Sequence, residues 1–388
     1  MDVSYQNEIN GLRASMQHDS DKDVSGSDLK RRTIVSASLY NLLPAVPLAD
    51  HDALIKDMLF HQQWAVRDQV HLQLVDELIA DGEQHCSAAQ DKPTIFCSYH
   101  LGSYRLLIPY LVSKKIKFTL LIDSAVANLQ RRDFDEVARR AAQRFGAPED
   151  CCNIIGTAQG GVMFTMLRQL KQGRSLVVFI DGNSGVDAGR SGVDNRIAVD
   201  FFGQILDARK GVAYMSHMAN VSMTPVVLSR DPGDLWKNHI SFRAPVVPDA
   251  AEEKDAYARR AVQNLYHILE AAIASHPQQW ESWFYVEQSL LLSKVEPEAR
   301  PHDVNSLADD TCLAFDNARF SLTVPAENEC LLFDRKHYRS TFISPAFMAF
   351  LAMFTAHPVR FAHATTHAGS SESLIMKLLG NGVLCVRP

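Results

Sequence analysis

His100 is the residue of this chain best placed to do chemistry. It stands in Pro93–Tyr110, PTIFCSYHLGSYRLLIPY, between an apolar run, Thr94–Phe96, and a second one, Leu106–Tyr110. Small and polar residues fill the junction, Gly102 and Ser103 among them. This is the pattern of a buried strand, a tight turn and a helix start. Open α/β sheets hold ligands at the carboxyl ends of their strands, and a helix start offers backbone N–H groups to negative charge. A histidine there can take the proton of a hydroxyl or amine as it attacks an acyl group. Such a base needs an acid to orient its ring and to stabilise the imidazolium. The local segment carries Arg105 and no Asp or Glu. The nearest acids at strand ends are Asp123 and Asp181, which a parallel sheet would bring to the same edge as His100. Cys97 could serve a covalent route, or be an ordinary core cysteine. Gly102 would let the backbone turn tightly. Ser103 could bind substrate or cap the helix.

Alternating strands and helices must position these residues. The runs Lys117–Asp123, Asn153–Ile155, Ser175–Asp181, Ile197–Gly203, Val221–Leu228 and Ile240–Val247 read as strands. Ser175–Asp181 is apolar on both faces, as a central parallel strand should be. Helical patterns fall over 33–86, Leu129–Phe145, Gly161–Lys171, Lys210–Ala219 and Ala256–Ser275. The sum is an α/β fold with a parallel sheet. Residues 1–30 are polar and read as a flexible segment, a mobile tail or a weak helix. The α/β domain occupies 31–295, and a polar linker, Glu296–Pro301, follows. Residues 302–388 change pattern, to short strands, helices over Ser344–Thr355 and Ser371–Leu379, and a closing strand, Val383–Val386. That arrangement suggests a small winged-helix-like domain.

Composition bounds the function. The chain has 388 residues, 46% hydrophobic and 22% charged, with a formal net charge of -6. A large core is within reach, and nucleic acid is excluded as a main partner. Seven cysteines lack metal-ligand spacing and read as reduced thiols of a cytoplasmic protein. No secretory leader and no apolar run of ~18–20 residues, the length that spans a bilayer, is visible.

The ordered segments resemble the lysophospholipid acyltransferase-like superfamily, and most closely the late acyltransferases of lipid A biosynthesis. The resemblance rests on His100-Leu-Gly-Ser-Tyr-Arg105, Val177–Asn183, Asp200-Phe201-Phe202-Gly203, Gly211–Ala219, Val221–Val227 and His276-Pro277-Gln278-Gln279-Trp280 with Trp283. It covers about residues 50–290. It implies a glycerolipid acyltransferase-like sheet, mixed and largely parallel, flanked by helices. It also implies acyl transfer with His100 as general base.

Two departures stand out. Arg105 occupies the position of the family's dyad acid, so Asp123, Asp181 or another acid takes the role, or the acyl transfer differs, or the site has lost this activity; a ligand carboxylate or phosphate could also pair with Arg105. The family's membrane anchor is missing, which points to a soluble donor: acyl-CoA, or the phosphopantetheine thioester of an acyl or peptidyl carrier protein. No metal or resident cofactor is implied. Arg105 or backbone N–H groups would stabilise the oxyanion. Asp181 and Asn183 could line the site, Phe201, Phe202 and Gly203 an acyl tunnel, and Arg209 and Lys210 could hold a phosphopantetheine phosphate. Trp280 and Trp283 read as packing.

The C-terminal region, through Cys330–Asp334, Phe342–Pro345 and Leu378–Leu384, resembles small winged-helix domains that hold peptides. It implies peptide or carrier-protein docking. The expectation is an acyltransferase of natural-product biosynthesis. The alternatives are a catalytically altered carrier-protein or peptide-binding protein, or a thioester hydrolase or cyclase.

Overall fold

The computed structural model describes residues 2–19, 26–156, 161–182, 195–249, 251–291, 307–326, 329–367 and 370–387. Backbone proximity divides the chain into two compact units, Met1–Lys22 with Leu54–Leu290, and Asp23–Ala53 with Leu291–Pro388. Among the described residues no helix is long and apolar enough to cross a membrane.

Of the two expectations for the N-terminus, a mobile tail or a weak helix, the second is observed over most of it. Val3–Asp19 form helix α1, with Tyr5 and Ile9 buried and Leu12 and Met16 packed against the core. Those four residues follow the i, i+4, i+7, i+11 spacing of one helix face. The polar residues between them mask the stripe. Helix α2 (Gly26–Leu42) belongs to the smaller unit, and α3 (His51–Asp68) follows it.

The larger unit continues with β1 (Ile79–Asp81), α4 (Glu83–Ser87), β2 (Ile95–Ser98), α5 (Leu107–Ser113), β3 (Phe118–Ile122), α6 (Ser124–Phe145), β4 (Cys152–Gly156), α7 (Val162–Lys171) and β5 (Ser175–Phe179). Then come β6 (Arg196–Phe201), β7 (Gln204–Arg209), α8 (Gly211–Ala219), β8 (Met223–Arg230), β9 (Asn238–Phe242) and α9 (Lys254–Ser275). Seven strands form one sheet in the order β1-β9-β8-β2-β5-β3-β4. All pairings in it are parallel except β8 with β9. This is the mixed, largely parallel sheet expected. Strand β2 is buried throughout, because β5 and β8 flank it and helices cover the sheet. Val178 and Phe179 of β5 are only half-buried, since they line a cavity described below.

Strand β7 is missing from the sequence reading. It pairs antiparallel with β6 across a two-residue turn, Phe202-Gly203. Both turn residues have positive φ, 50° and 72°, the conformation that lets a two-residue loop match the strand twist. A phenylalanine at the first position hides the turn from a search for Asn-Gly or Asp-Gly.

The smaller unit contains β10 (Cys312–Phe315), β11 (Phe320–Ala326), β12 (Glu329–Asp334), β13 (Arg339–Ile343), α10 (Pro345–Ala356), β14 (Val359–Arg360), α11 (Phe361–Thr366), α12 (Glu372–Gly380) and β15 (Leu384–Arg387). Its two antiparallel sheets run β14-β10-β15 and β11-β12-β13. Ser344 and Ser371 cap α10 and α12 by accepting from the amides of Phe347 and Leu374, each worth about 1 kcal/mol. Leu313, Phe315, Leu351, Phe354 and Ile375 fill the core between them.

Candidate active site

Strand register sets the site. Ser98 of β2 lies opposite Phe179 of β5 in a parallel pair. Two residues further along each chain, at the carboxyl edge, stand His100 and Asp181. His100 Nδ1 is 2.9 Å from Asp181 Oδ1. The His100 amide donates to the same carboxylate, at 3.0 Å to Oδ2 and 3.2 Å to Oδ1. Trp280 Nε1 donates to Oδ2 at 2.8 Å and Ser282 Oγ at 3.2 Å. The Asp181 side chain is 1% exposed and that of His100 22%. Donors converging on a buried carboxylate favour its charged form. An ionised acid only accepts, so Nδ1 carries the proton and Nε2 the lone pair. Nε2 has no hydrogen-bond partner among the described residues.

The electrostatics follow. Burial works against a charged imidazole, but the charge and hydrogen bond of Asp181 outweigh it, and His100 titrates above its ordinary value. Burial also works against the carboxylate, yet His100 and Trp280 hold Asp181 below the usual carboxylate range. The ring of His100 is braced by Phe179 at 4.8 Å and Tyr104 at 5.0 Å between centroids.

The chain after α9 fastens this turn. Gly102 has φ +60°, and a Cβ there would sit 2.7 Å from Leu228 O and Ser229 Cα. Only glycine fits both the conformation and the approach. Its amide donates to Gln279 O at 2.9 Å. The Gln279 side chain in turn closes two hydrogen bonds, each 2.8 Å, with the backbone of Arg230 at the end of β8. Glu281 donates its amide to His100 O at 2.8 Å. Its carboxylate accepts from Gln62 and from the Tyr104 hydroxyl, both at 3.0 Å.

His100 opens on a cavity of about 500 Å³, a volume typical of small-molecule sites. Ile108, Leu120, Phe134, Met166, Phe179 and Met215 supply apolar wall, while Tyr104, Arg105, Glu281 and Tyr285 are polar neighbours of His100 in the lining. A base with an open lone pair beside an apolar chamber suits proton removal at the end of a hydrophobic substrate. Among the described residues no group of three or more His, Cys, Asp or Glu side chains could hold a metal ion.

Residues 49–286 match the family model of the bacterial lipid A biosynthesis acyltransferases. The chain belongs to this family. It is therefore an acyltransferase by descent; no curated protein matches it. Five residues after His100 stands Arg105, and the carboxylate in contact with His100 is that of Asp181, two residues past the end of β5.

The other predicted residues divide. Asp123 lines the cavity but is not a hydrogen-bond partner of His100. Arg105 lines it too, and its Nη1 donates to Gln69 Oε1 at 2.9 Å. Arg209 also lines it; burial first, and then the charge of Arg196, lower its basicity. Ser103 is fully buried, makes no side-chain cap, and does not reach the cavity lining. Phe202 and Gly203 form the β6–β7 turn and lie outside that lining, because the hairpin sends Phe201 inward instead, against Trp280 at 5.7 Å. Asn183 lies outside the described residues. Cys97 is buried within β2, and burial raises its thiol well above the ordinary value, so it is no nucleophile.

Sequence reasoning missed Trp280 as a partner of Asp181 and missed Glu281, Tyr104 and Tyr285 altogether. The signal for Trp280 was present in the tight Gln-Gln-Trp segment after a helix stop. Trp283 is a packing residue, with its Nε1 donating to Pro277 O at 2.7 Å.

Proposed function

We propose that this protein moves an acyl group from an acyl-CoA or carrier-protein thioester to a hydroxyl or amine, with His100 as general base. The observation that carries the reading is the 2.9 Å contact between His100 Nδ1 and Asp181, inside the range required of a working pair. It favours an enzyme over a protein that only binds a carrier.

The steps follow from the geometry. Nε2 takes the proton of the acceptor while the acceptor oxygen or nitrogen bonds to the thioester carbonyl. Asp181 stabilises the imidazolium that forms. The carbonyl oxygen becomes an oxyanion. The amides of His100, Leu101 and Gly102 are already engaged and cannot serve it. Tyr285 lines the cavity, with its hydroxyl 2.9 Å from Ser282 Oγ, and would turn its proton to that oxygen as the oxyanion forms. Burial first, and then Asp181, holds this phenol protonated. Collapse breaks the C–S bond, and the leaving thiolate takes the proton from the imidazolium. The apolar chamber would house the acyl chain, and Arg209 would meet the phosphate of the pantetheine arm.

The smaller unit suits docking of a peptide by strand addition in a biosynthetic pathway. Strand β13 is an edge strand, and Phe342 on it is 73% exposed; such an edge can accept a further strand.

The test is intact-mass spectrometry of reactions containing a panel of acyl-CoA and acyl-carrier donors. Acyl transfer by the parent protein that vanishes in His100→Ala is the expected result. Donor binding without turnover in either protein would replace this reading with the carrier-binding one. Thioester loss without an acylated acceptor would indicate a hydrolase.

A further inference from the structure

Arg105 sits in the turn that carries His100, where the family pattern has an acid. Its guanidinium lies against two aromatic faces, 5.4 Å from the Tyr104 ring centre and 5.9 Å from that of Phe134. Its Nη1 donates to the neutral Gln69 side chain at 2.9 Å. Its Nε is buried without a hydrogen-bond partner. Among the described residues no carboxylate forms an ion pair with it. Glu281, the acid across Tyr104, spends its two oxygens on Gln62 and Tyr104.

Arg105 is half-buried in the cavity wall, where it can meet a ligand's negative charge partly screened from bulk water. The planar fork of arginine fits a carboxylate through two parallel hydrogen bonds. Only the Tyr104 ring separates this fork from the base, since that ring lies 5.0 Å from the His100 ring. The phosphate of a pantetheine thioester is a whole extended arm away from its carbonyl, too far to meet Arg105 while the carbonyl is at His100. The anion belongs instead to a small group within a few bonds of the reacting atoms. Glu281 lines the same cavity and is suited to an ammonium group beside it.

We propose that Arg105 recognises a carboxylate on the acyl acceptor, so that the acceptor is an amino acid or a related hydroxy acid. This rests on the acyl-transfer reading above. The thioester carbonyl would stand at His100, the acceptor amine or hydroxyl between Nε2 and Glu281, and its carboxylate on Arg105.

The experiment compares serine with serinamide as acceptors, using kcat/KM corrected for the fraction of free amine. The proteins are the parent, Arg105→Lys and Arg105→Gln. The parent should prefer serine by roughly 10- to 100-fold, the strength of hydrogen bonds to a charged group. Arg105→Gln should abolish the preference through KM, and Arg105→Lys should keep part of it. A parent that uses both acceptors equally, or a preference that survives in Arg105→Gln, overturns the proposal. A second arm uses donors whose acyl chain ends in a carboxylate or a methyl group. Dependence on Arg105 that follows the donor instead of the acceptor also overturns it, and makes Arg105 a reader of the acyl chain. Calorimetric binding of serine and serinamide needs no turnover. Tighter binding of serine, lost in Arg105→Gln, upholds the proposal even if no donor in the panel is used. Absent binding of donor and absent thioester cleavage count against the acyl-transfer reading alone.

Discussion

His100 and His61 are both withdrawn from water beside the strands that build the site, and they are opposites. His100 has the carboxylate of Asp181 on one nitrogen and a cavity on the other. His61, on α3, is 3% exposed and has Arg230 Nη1 3.3 Å from its Nδ1. Burial first, and then the charge of Arg230, pushes it down to about 2. That arginine is itself sealed. It pairs with Asp68 where both side chains are 0% exposed, and it lies 4.4 Å above the Trp64 ring. Asp68 also accepts from Tyr5, which accepts from Trp64 at 2.6 Å. Burial alone therefore does not make a catalytic histidine. An opposing charge and an open face are what His100 has and His61 lacks, and the closed cluster holds α1, α3 and β8 together instead.

The comparison can be broken from either side. Asp181→Asn removes the opposing charge and permits the wrong tautomer at His100. We expect kcat to fall on the order of 10³- to 10⁴-fold, with the circular dichroism spectrum unchanged. A loss below tenfold would mean that the pair is structural.

On the closed side, Arg230→Met strands the Asp68 carboxylate in the core. It should destabilise the fold by about 3–5 kcal/mol, read as a lower urea midpoint. The double variant with Asp68→Leu should recover much of that loss. Equal loss in both variants would show that shape, not charge, holds the cluster.

A smaller effect separates the two tryptophans. Trp280→Phe takes one donor from Asp181 and should slow turnover roughly 10- to 100-fold. Trp283→Phe loses a hydrogen bond to a backbone carbonyl and should cost about 1 kcal/mol of stability with little change in rate. Similar kinetics in the two variants would remove Trp280 from the site.

The smallest effect lies in stability against pH. His61 cannot charge in the folded state but charges at about 6.5 when unfolded. It therefore drains stability as pH falls below that value, by at most about 1.4 kcal/mol per unit. The raised value of His100 acts in the other direction: its pairing contributes fully below about 6.5 and is lost as pH rises through its higher folded value. His61→Phe should flatten the acid slope of stability and leave the pH dependence of the rate unchanged. An altered rate profile would connect the closed cluster to catalysis.

Much of this site was legible in sequence. The apolar run ending at Phe96 and the one ending at Ile180 placed His100 and Asp181 at strand ends, and parallel pairing made them candidates for contact. What sequence could not choose was Asp181 over Asp123. That choice depends on strand order, because β5 neighbours β2 while β3 lies one strand further away. Order is set by long-range packing, which local pattern does not encode. The same limit hid Glu281 and Tyr285, which reach the cavity from a segment about 180 residues downstream of His100. Phe202 and Gly203 lie outside the cavity lining because they form a two-residue turn, which an unusual phenylalanine masks in the sequence. Helix α1 could be read only as a weak alternative because four core contacts spread over three turns leave composition polar.

The most direct test of the His100–Asp181 pair is the pH dependence of kcat/KM for the parent and for Asp181→Asn. The base must be neutral to act, so the rate falls on the acid side as His100 takes up a proton. In the parent, the midpoint of that limb should lie above about 6.5, the ordinary histidine value. In Asp181→Asn it should drop below that value, as burial, the largest influence, and the charge of Arg105 are then opposed by the weaker effect of Glu281 alone. A limb that stays in place when Asp181 is neutralised would contradict the assignment of His100 as the base and Asp181 as its partner.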